Sequence, residues 1–292
     1  MMARELQQYG VPVVTACRRL AVARSSVYYR PRPVAVPVWL APMQALAQQH
    51  PAWGYRKVLH ELRQAGHVIN AKRFHRYWRG HGLGQPPLRS HRRFRRPSRP
   101  FEAVVPHRAG DVWTMDFIQD RMTTGRAFRI LNVLDVYSRR ALEPLVDVSL
   151  PGTAVAAHLA VLFRREGVPT VIRRDGGPEF RSRAVQRVLA QWRVKQEEIP
   201  PGQPFDNGHV ESFHRTLRRE CLSRELFADI VEARMTVRLW TLGYNEQRPH
   251  MALDYRTPAA VWKESIFQPQ DPNIPRVQIA GADLGRPNTS SV

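Results

Sequence analysis

The chain has 292 residues, 43% of them hydrophobic, which suits two or three modules with real cores and excludes a chain disordered throughout. Its formal charge is +20, carried mostly by arginine, with lysine only at positions 57, 72, 195 and 263; planar guanidinium forks suit phosphate, so nucleic acid leads as partner, although a genome rich in G and C also enriches arginine. The longest apolar runs, such as 155–163, fall far short of the roughly 20 residues of a membrane span, and the polar opening MMARELQQYG is not a secretory signal.

Residues 12–30 pattern as two short helices, Val13 to Leu20 and a second entered at Ser25 or Ser26 and closed by Pro31. That is the size of a helix-turn-helix and equally of an ordinary helical hairpin. Pro33, Pro37 and Pro42 then mark a linker. Tyr55 to Gln64 reads as a helix stopped at Gly66, and Asn70 caps another from Ala71 to His81. Phe74, Tyr77 and Trp78 form its apolar side, and Lys72, Arg73, Arg76 and Arg79 its other side. A basic second helix is what a major-groove reader presents, and the charge of the whole chain favours DNA contact over a merely solvated face. Residues 86–100 set arginines 89, 92, 93, 95, 96 and 99 between prolines. Such a run builds no core; it reads as an extended linker that can also track phosphates.

From Asp111 the pattern switches to period two. Trp113, Met115 and Phe117 point one way and Val112, Thr114 and Asp116 the other, leaving an acid in mid-strand. After a turn at Thr124 and Gly125, two more strands are expected over Phe128 to Asp135 and Arg139 to Val146, then a helix from Thr153 to Arg165. A strand from Pro169 to Arg174 ends at Asp175-Gly176-Gly177-Pro178, followed by a helix from Glu179 to Gln191 and a strand from Val194 to Ile199. The next helix, capped by Asp206 or Asn207, carries Val210, Phe213, Leu217 and Cys221 on one face and Glu211, Arg215 and Arg218 beside it. A helix over 225–244 broken at Gly243, an irregular stretch to Tyr255 and a last helix opened by Thr257 and Pro258 complete an α/β arrangement, a mixed sheet with helices on its faces. Cys17 and Cys221 lack zinc or redox spacing and read as reduced thiols of a cytoplasmic protein.

Three acids stand out. Taken singly, Asp116 suits a hydrogen-bonded core acid, Asp175 a turn former, and Glu211 an ion-pair partner of Arg215 and Arg218. Together they suggest a metal site, because converging carboxylates repel unless divalent cations neutralise them. Two such ions about 3.5 to 4 Å apart stabilise the attacking and leaving oxygens of an in-line displacement at phosphorus.

Asp116, Asp175 and Glu211, with 35 residues between the last two, resemble the DDE signature of the retroviral-integrase superfamily. WTMDFIQD, DGGPEF, DNGHVESFHRTLRRECL and YNEQRPHMALDYRTP are similar to the downstream (OrfB) product of bacterial insertion sequences of the insertion-sequence-three family, and GYRKVLHELRQAGHVINAKRFHRYWRGHGL resembles its helical module ahead of the core. The resemblance implies an RNase H-like catalytic core and a transposase that cuts and joins DNA. Asp116, Asp175 and Glu211 would be both catalytic and metal-ligating, using two Mg²⁺ ions with Mn²⁺ able to substitute. Arg218 would hold phosphate, with Arg215, Lys72, Arg73, Arg76, Arg79, Arg92, Arg93, Arg95 and Arg96 as further DNA contacts. Tyr244, Asn245, Arg248, Pro249 and His250 match a family motif that suits either a packing turn or DNA contact. Element ends and target DNA are the implied partners, with a homo-oligomer on DNA, an upstream-frame partner or fusion, and a bacterial cytoplasmic, nucleoid-associated location. The expected organisation is a helical segment at 1–32, a DNA-binding module at 42–85, a basic linker at 86–109, the core at 110–224, a helical extension at 225–267 and a disordered tail at 268–292. Two positions depart from the family pattern, Gly176 and His214, where Asn is usual. Gly176 leaves a catalytically impaired DNA-binding remnant as one alternative; a nuclease without strand transfer is the other.

Overall fold

The structure, a computed structural model, describes residues 5, 8–29, 35–84, 103–200 and 208–267. The run at 86–100, with Arg92, Arg93, Arg95 and Arg96, the cap at Asp206 or Asn207, and the tail from 268 lie outside the described residues.

Near the N-terminus, α1 (Val13–Arg19) and α2 (Arg24–Tyr28) share a small cluster of Val13, Ala16, Cys17 and Val27. A helix that the prolines had concealed follows, α3 (Leu40–Gln49). Pro42 sits in its first turn, where a missing N–H costs nothing. With α4 (Tyr55–Gln64) and α5 (Ala71–Gly80), it closes a separate core of Trp39, Met43, Trp53, Val58, Leu62, Phe74 and Trp78. Asn70 caps α5 as expected, its side chain accepting from the Arg73 N–H at 3.1 Å.

The larger module is a five-stranded mixed sheet: β1 (Val112–Arg121), β2 (Ala127–Asp135), β3 (Leu145–Asp147), β4 (Val171–Arg174) and β5 (Lys195–Glu198), in the order β3-β2-β1-β4-β5. The first three pair antiparallel, β1 turning into β2 at Gly125 with φ +81°. β4 and β5 join in parallel after helical crossovers through α6 (Gly152–Glu166) and α7 (Arg183–Gln191). Period two sorts the faces. Trp113, Met115, Leu131 and Val133 pack with α6 and α7. Ile118, Phe128, Ile130 and Leu134 point the other way, onto α8 (Gly208–Leu217), its π-helical continuation Arg218–Leu222, and α9 (Ile230–Glu246). Helices therefore cover both faces of a mixed sheet, the RNase H-like α/β arrangement expected.

Three further elements differ from expectation. The strand over 139–146 shrinks to β3 and one bridge, Leu134 to Ala141, because Arg139 takes φ +63° and Pro144 has no N–H. The helix expected from Glu179 starts at Arg183 with Ser182 as its cap, and Glu179 pairs with Arg129 instead. Gly243 does not break α9, which runs from its Asp229 cap to Glu246. A helical glycine costs only about 1 kcal/mol, and continuing the helix buries Tyr244 and Asn245. α10 (Pro258–Phe267) opens as read, with Thr257 Oγ1 accepting from the Ala260 N–H at 3.3 Å. Among the described residues no helix is long and apolar enough to cross a membrane.

Candidate active site

Asp116 lies in mid-β1, directly opposite Asn132 of β2, so both side chains share the face covered by α8. One carboxylate oxygen accepts from the Phe117 N–H at 2.7 Å, and the other stands 3.7 Å from Nδ1 of His214. Thr114 of β1 pairs with Arg173 of β4; continued two residues along parallel strands, that register sets Asp175 beside Asp116. Asp175 is exposed, and its Oδ1 accepts from the Gly177 N–H at 3.0 Å, which shapes the turn after β4. Glu211 is half-buried in the first turn of α8. Burial, only partly offset by the Phe117 hydrogen bond, pushes the Asp116 carboxyl up to about 6, and the charges of Asp175 and Glu211 push the same way.

Among the described residues no three His, Cys, Asp or Glu side chains close into a ready-made metal cage. The three acids lie within electrostatic reach of one another without forming one. This donor set fits Mg²⁺, which keeps several waters and takes one or two carboxylates together with substrate phosphate oxygens. Burial is the main cause of the raised Asp116 carboxyl, and the two further acids add to it, since gathered acids favour the proton until a cation neutralises them.

Around the acids, α8 buries Val210, Phe213 and Leu217 and its π continuation buries Cys221, the face as read, and the wider π turn lets Leu222 bury beside Cys221. Arg215 and Arg218 stay exposed, and Arg218 donates to the Gln119 carbonyl of β1 at 3.1 Å. Lys72, Arg73, Arg76 and Arg79 are exposed on α5, facing away from their own core and outside the acid cluster. The Tyr244 motif faces inward. Asn245 donates to the Ala141 carbonyl at 2.7 Å and accepts its N–H at 2.9 Å, and Arg248 grips Glu220 with two hydrogen bonds of 2.8 and 2.9 Å. With Tyr244, Asn245 and Arg248 all buried, the packing explanation of that motif holds. At Gly176 an added Cβ would meet Arg181 Nη2 at 2.9 Å and Glu198 Oε1 at 3.1 Å. The Arg181–Glu198 pair fills the space of the usual Asn side chain.

The family described as Integrase core domain matches residues 106–204 and again 191–258, and HTH-like domain matches 40–92. The 31.7 kDa protein of insertion element IS407 from Burkholderia multivorans is 34% identical over 84% of this chain and 88% of its own length. The chain belongs to the insertion-sequence-three family of transposases. The 39.2 kDa protein of insertion element IS476 from Xanthomonas euvesicatoria is 32% identical to this transposase over 84% of the chain and 70% of its own. A chain of the simian T-cell lymphotropic virus intasome superposes on the transposase with a TM-score of 0.47 and 16% identity, over 86% of this chain and 80% of that one.

Two neighbours of the acids escaped notice in the transposase sequence. Asn132 is the lone polar side chain in ILNVL, and its strand parity was the available signal. Arg181 had none, because only the turn after β4 brings it back over Gly176.

Proposed function

We propose that this transposase carries out both chemical steps of transposition at Asp116, Asp175 and Glu211, with water cutting the element end to free a 3′-hydroxyl and that hydroxyl then attacking a second phosphodiester in line. The observation that carries this reading is Asp116, pushed up to about 6 by burial and by the other two acids, which marks carboxylates gathered for a cation. The integrase-core family is metal-dependent, and Mg²⁺ is the fitting ion. When bound, divalent cations supply charge neutralisation and activation of the attacking oxygen. The protein's own part is positional: β1, β4 and α8 hold the three carboxylates together, and Arg215 and Arg218 beside them offer donors for the phosphates flanking the scissile bond. The basic face of α5 engages the terminal DNA ahead of the core, and a homo-oligomer, with or without an upstream-frame partner, synapses two ends in the bacterial cytoplasm.

The test is a plasmid carrying the element's own flanking DNA, scored for joined ends with Mg²⁺. Asp116→Asn, Asp175→Asn and Glu211→Gln should each abolish joining by at least about a thousandfold while DNA binding persists. Substantial joining by any one of them overturns the assignment.

A further inference from the structure

The family pattern puts Asn where this chain has His214, and the structure gives that histidine two neighbours. Its Nε2 lies 3.0 Å from the side-chain nitrogen of Asn132, and its Nδ1 lies 3.7 Å from Oδ2 of Asp116. Asn132 is 2% exposed and the His214 side chain 13%, so neither chooses its partner from solvent. An amide nitrogen only donates, which leaves Nε2 of a neutral ring as the acceptor and places the ring proton on Nδ1. That N–H faces Asp116, whose other oxygen is already held by the Phe117 N–H at 2.7 Å. The 3.7 Å gap exceeds a hydrogen bond. Donation requires this gap to close when the site is loaded, as loosely aligned site contacts then tighten.

We propose that Asn132 locks His214 as the Nδ1–H tautomer and that His214 positions the Asp116 carboxylate by donating this hydrogen to Oδ2. The relay is built by topology: Asp116 and Asn132 are cross-strand neighbours, and α8 lays His214, three residues after Glu211, across both. His214 is thus a positioning residue that acts through Asp116 and not on DNA. Its effect on metal binding rests on the three-acid reading above; its tautomer does not. Groups that orient a metal-binding side chain typically change metal affinity by about 10- to 100-fold.

Two measurements on the full chain test this. With ¹⁵N-labelled histidine at pH 8, two-bond proton–nitrogen spectra report the tautomer of each ring, and the His214 signal is identified by its loss in His214→Asn. The expected pattern is Nδ1–H, relaxing toward Nε2–H in Asn132→Leu; Nε2–H in the wild type overturns the proposal. Thermal shift against Mg²⁺ then gives the half-saturating concentration, with near-ultraviolet circular dichroism confirming folding. His214→Phe and Asn132→Leu should raise it about tenfold, while His214→Asn, whose amide can still donate, should stay within about threefold of wild type. Wild-type values in both His214→Phe and Asn132→Leu overturn the positioning role. If Asp116→Asn also leaves the Mg²⁺ response unchanged, the metal reading has failed, and the tautomer result still decides the lock.

Discussion

Replacing Asp116 by Asn should make the protein more stable while removing its activity. The carboxyl is pushed from an ordinary 3.8 up to about 6, so at neutral pH the folded state carries an ionised group it disfavours. At about 1.4 kcal/mol per tenfold in proton affinity, that is about 3 kcal/mol, and solvent reaching a side chain 27% exposed trims it to about 2 kcal/mol. The folded form binds the proton more tightly than the unfolded one, so this penalty is fully present above pH 6 and is relieved as pH falls from about 6 toward 4. Asn keeps an oxygen for the Phe117 N–H, which is 2.7 Å away, and sets its amide nitrogen 3.7 Å from Nδ1 of His214 where Oδ2 stood, so loss of the charge is the larger of two changes. Without divalent cations at pH 7.5, the variant should melt about 5 °C above wild type, with a smaller further gain on adding Mg²⁺ than wild type shows. A variant melting at or below wild type under those conditions refutes the account of a strained, gathered carboxylate.

Asn245→Ala strips both hydrogen bonds from the buried Ala141 backbone and should cost about 2 to 4 kcal/mol in urea unfolding; a loss below about 1 kcal/mol shows that the clamp is dispensable. Gly176→Asn must displace the ends of Arg181 and Glu198, both flexible, so unfolding stability should change by less than about 1 kcal/mol. A large gain in strand cleavage by that variant identifies an impaired enzyme; no change shows that Arg181 over Gly176 is tolerated. Lys57, brought down to about 7 by burial and by Arg248, makes the folded state release a proton that the unfolded chain keeps. Stability should rise between about pH 7 and 10.5, and Lys57→Met should flatten that rise in a melting series. Lys72→Ala and Arg76→Ala should each lower the slope of log affinity against log salt by about 0.9 for a lost phosphate contact, and an unchanged slope removes α5 from the DNA interface.

The first strand was legible because it obeys period two. Trp113, Met115 and Phe117 against Val112, Thr114 and Asp116 gave both the strand and its two faces, and the acid in mid-strand was visible before any partner was known. Failures arose where a residue's local preference was overruled by distant contacts. Pro42 looked like a linker yet sits harmlessly in the first turn of α3, and Gly243 looked like a stop yet lies inside α9 because Tyr244 and Asn245 gain burial by continuing. The strand expected over 139–146 fails for the complementary reason. Its ladder is replaced at Ala141 by a side chain more than a hundred residues away, and no local pattern announces that substitution. The three acids were grouped from type and spacing alone, whereas Asn132, Arg181 and the inward direction of the Tyr244 motif depended on register and packing.

The helix bearing Glu211 is anchored at both ends of its function. Arg218 turns to the Gln119 carbonyl at the tip of β1, while two residues later Glu220, 8% exposed, faces Arg248 of the C-terminal motif. In a regular α-helix residues two apart lie on different sides without help, but burying both Cys221 and Leu222 requires the wider π turn that follows Leu217. Lys57 of α4 also feels Glu220, and its carboxyl is held below the usual carboxylate range by Arg248, Lys57 and Arg219 despite burial. One carboxylate thereby ties together the helical module, the active-site helix and the Tyr244 clamp. Removing it as Glu220→Gln would leave Arg219 and Arg248 without a counter-charge and push Lys57, already down to about 7, toward its neutral form, so the loss should exceed that of either Arg219→Ala or Lys57→Met alone. A double-mutant cycle between Glu220 and Lys57 reads that coupling directly. A cycle that closes to zero would mean that Glu220 does not couple to Lys57, leaving contacts such as the stacking of His60 on Tyr255, ring centroids 4.8 Å apart, to join the module to the core.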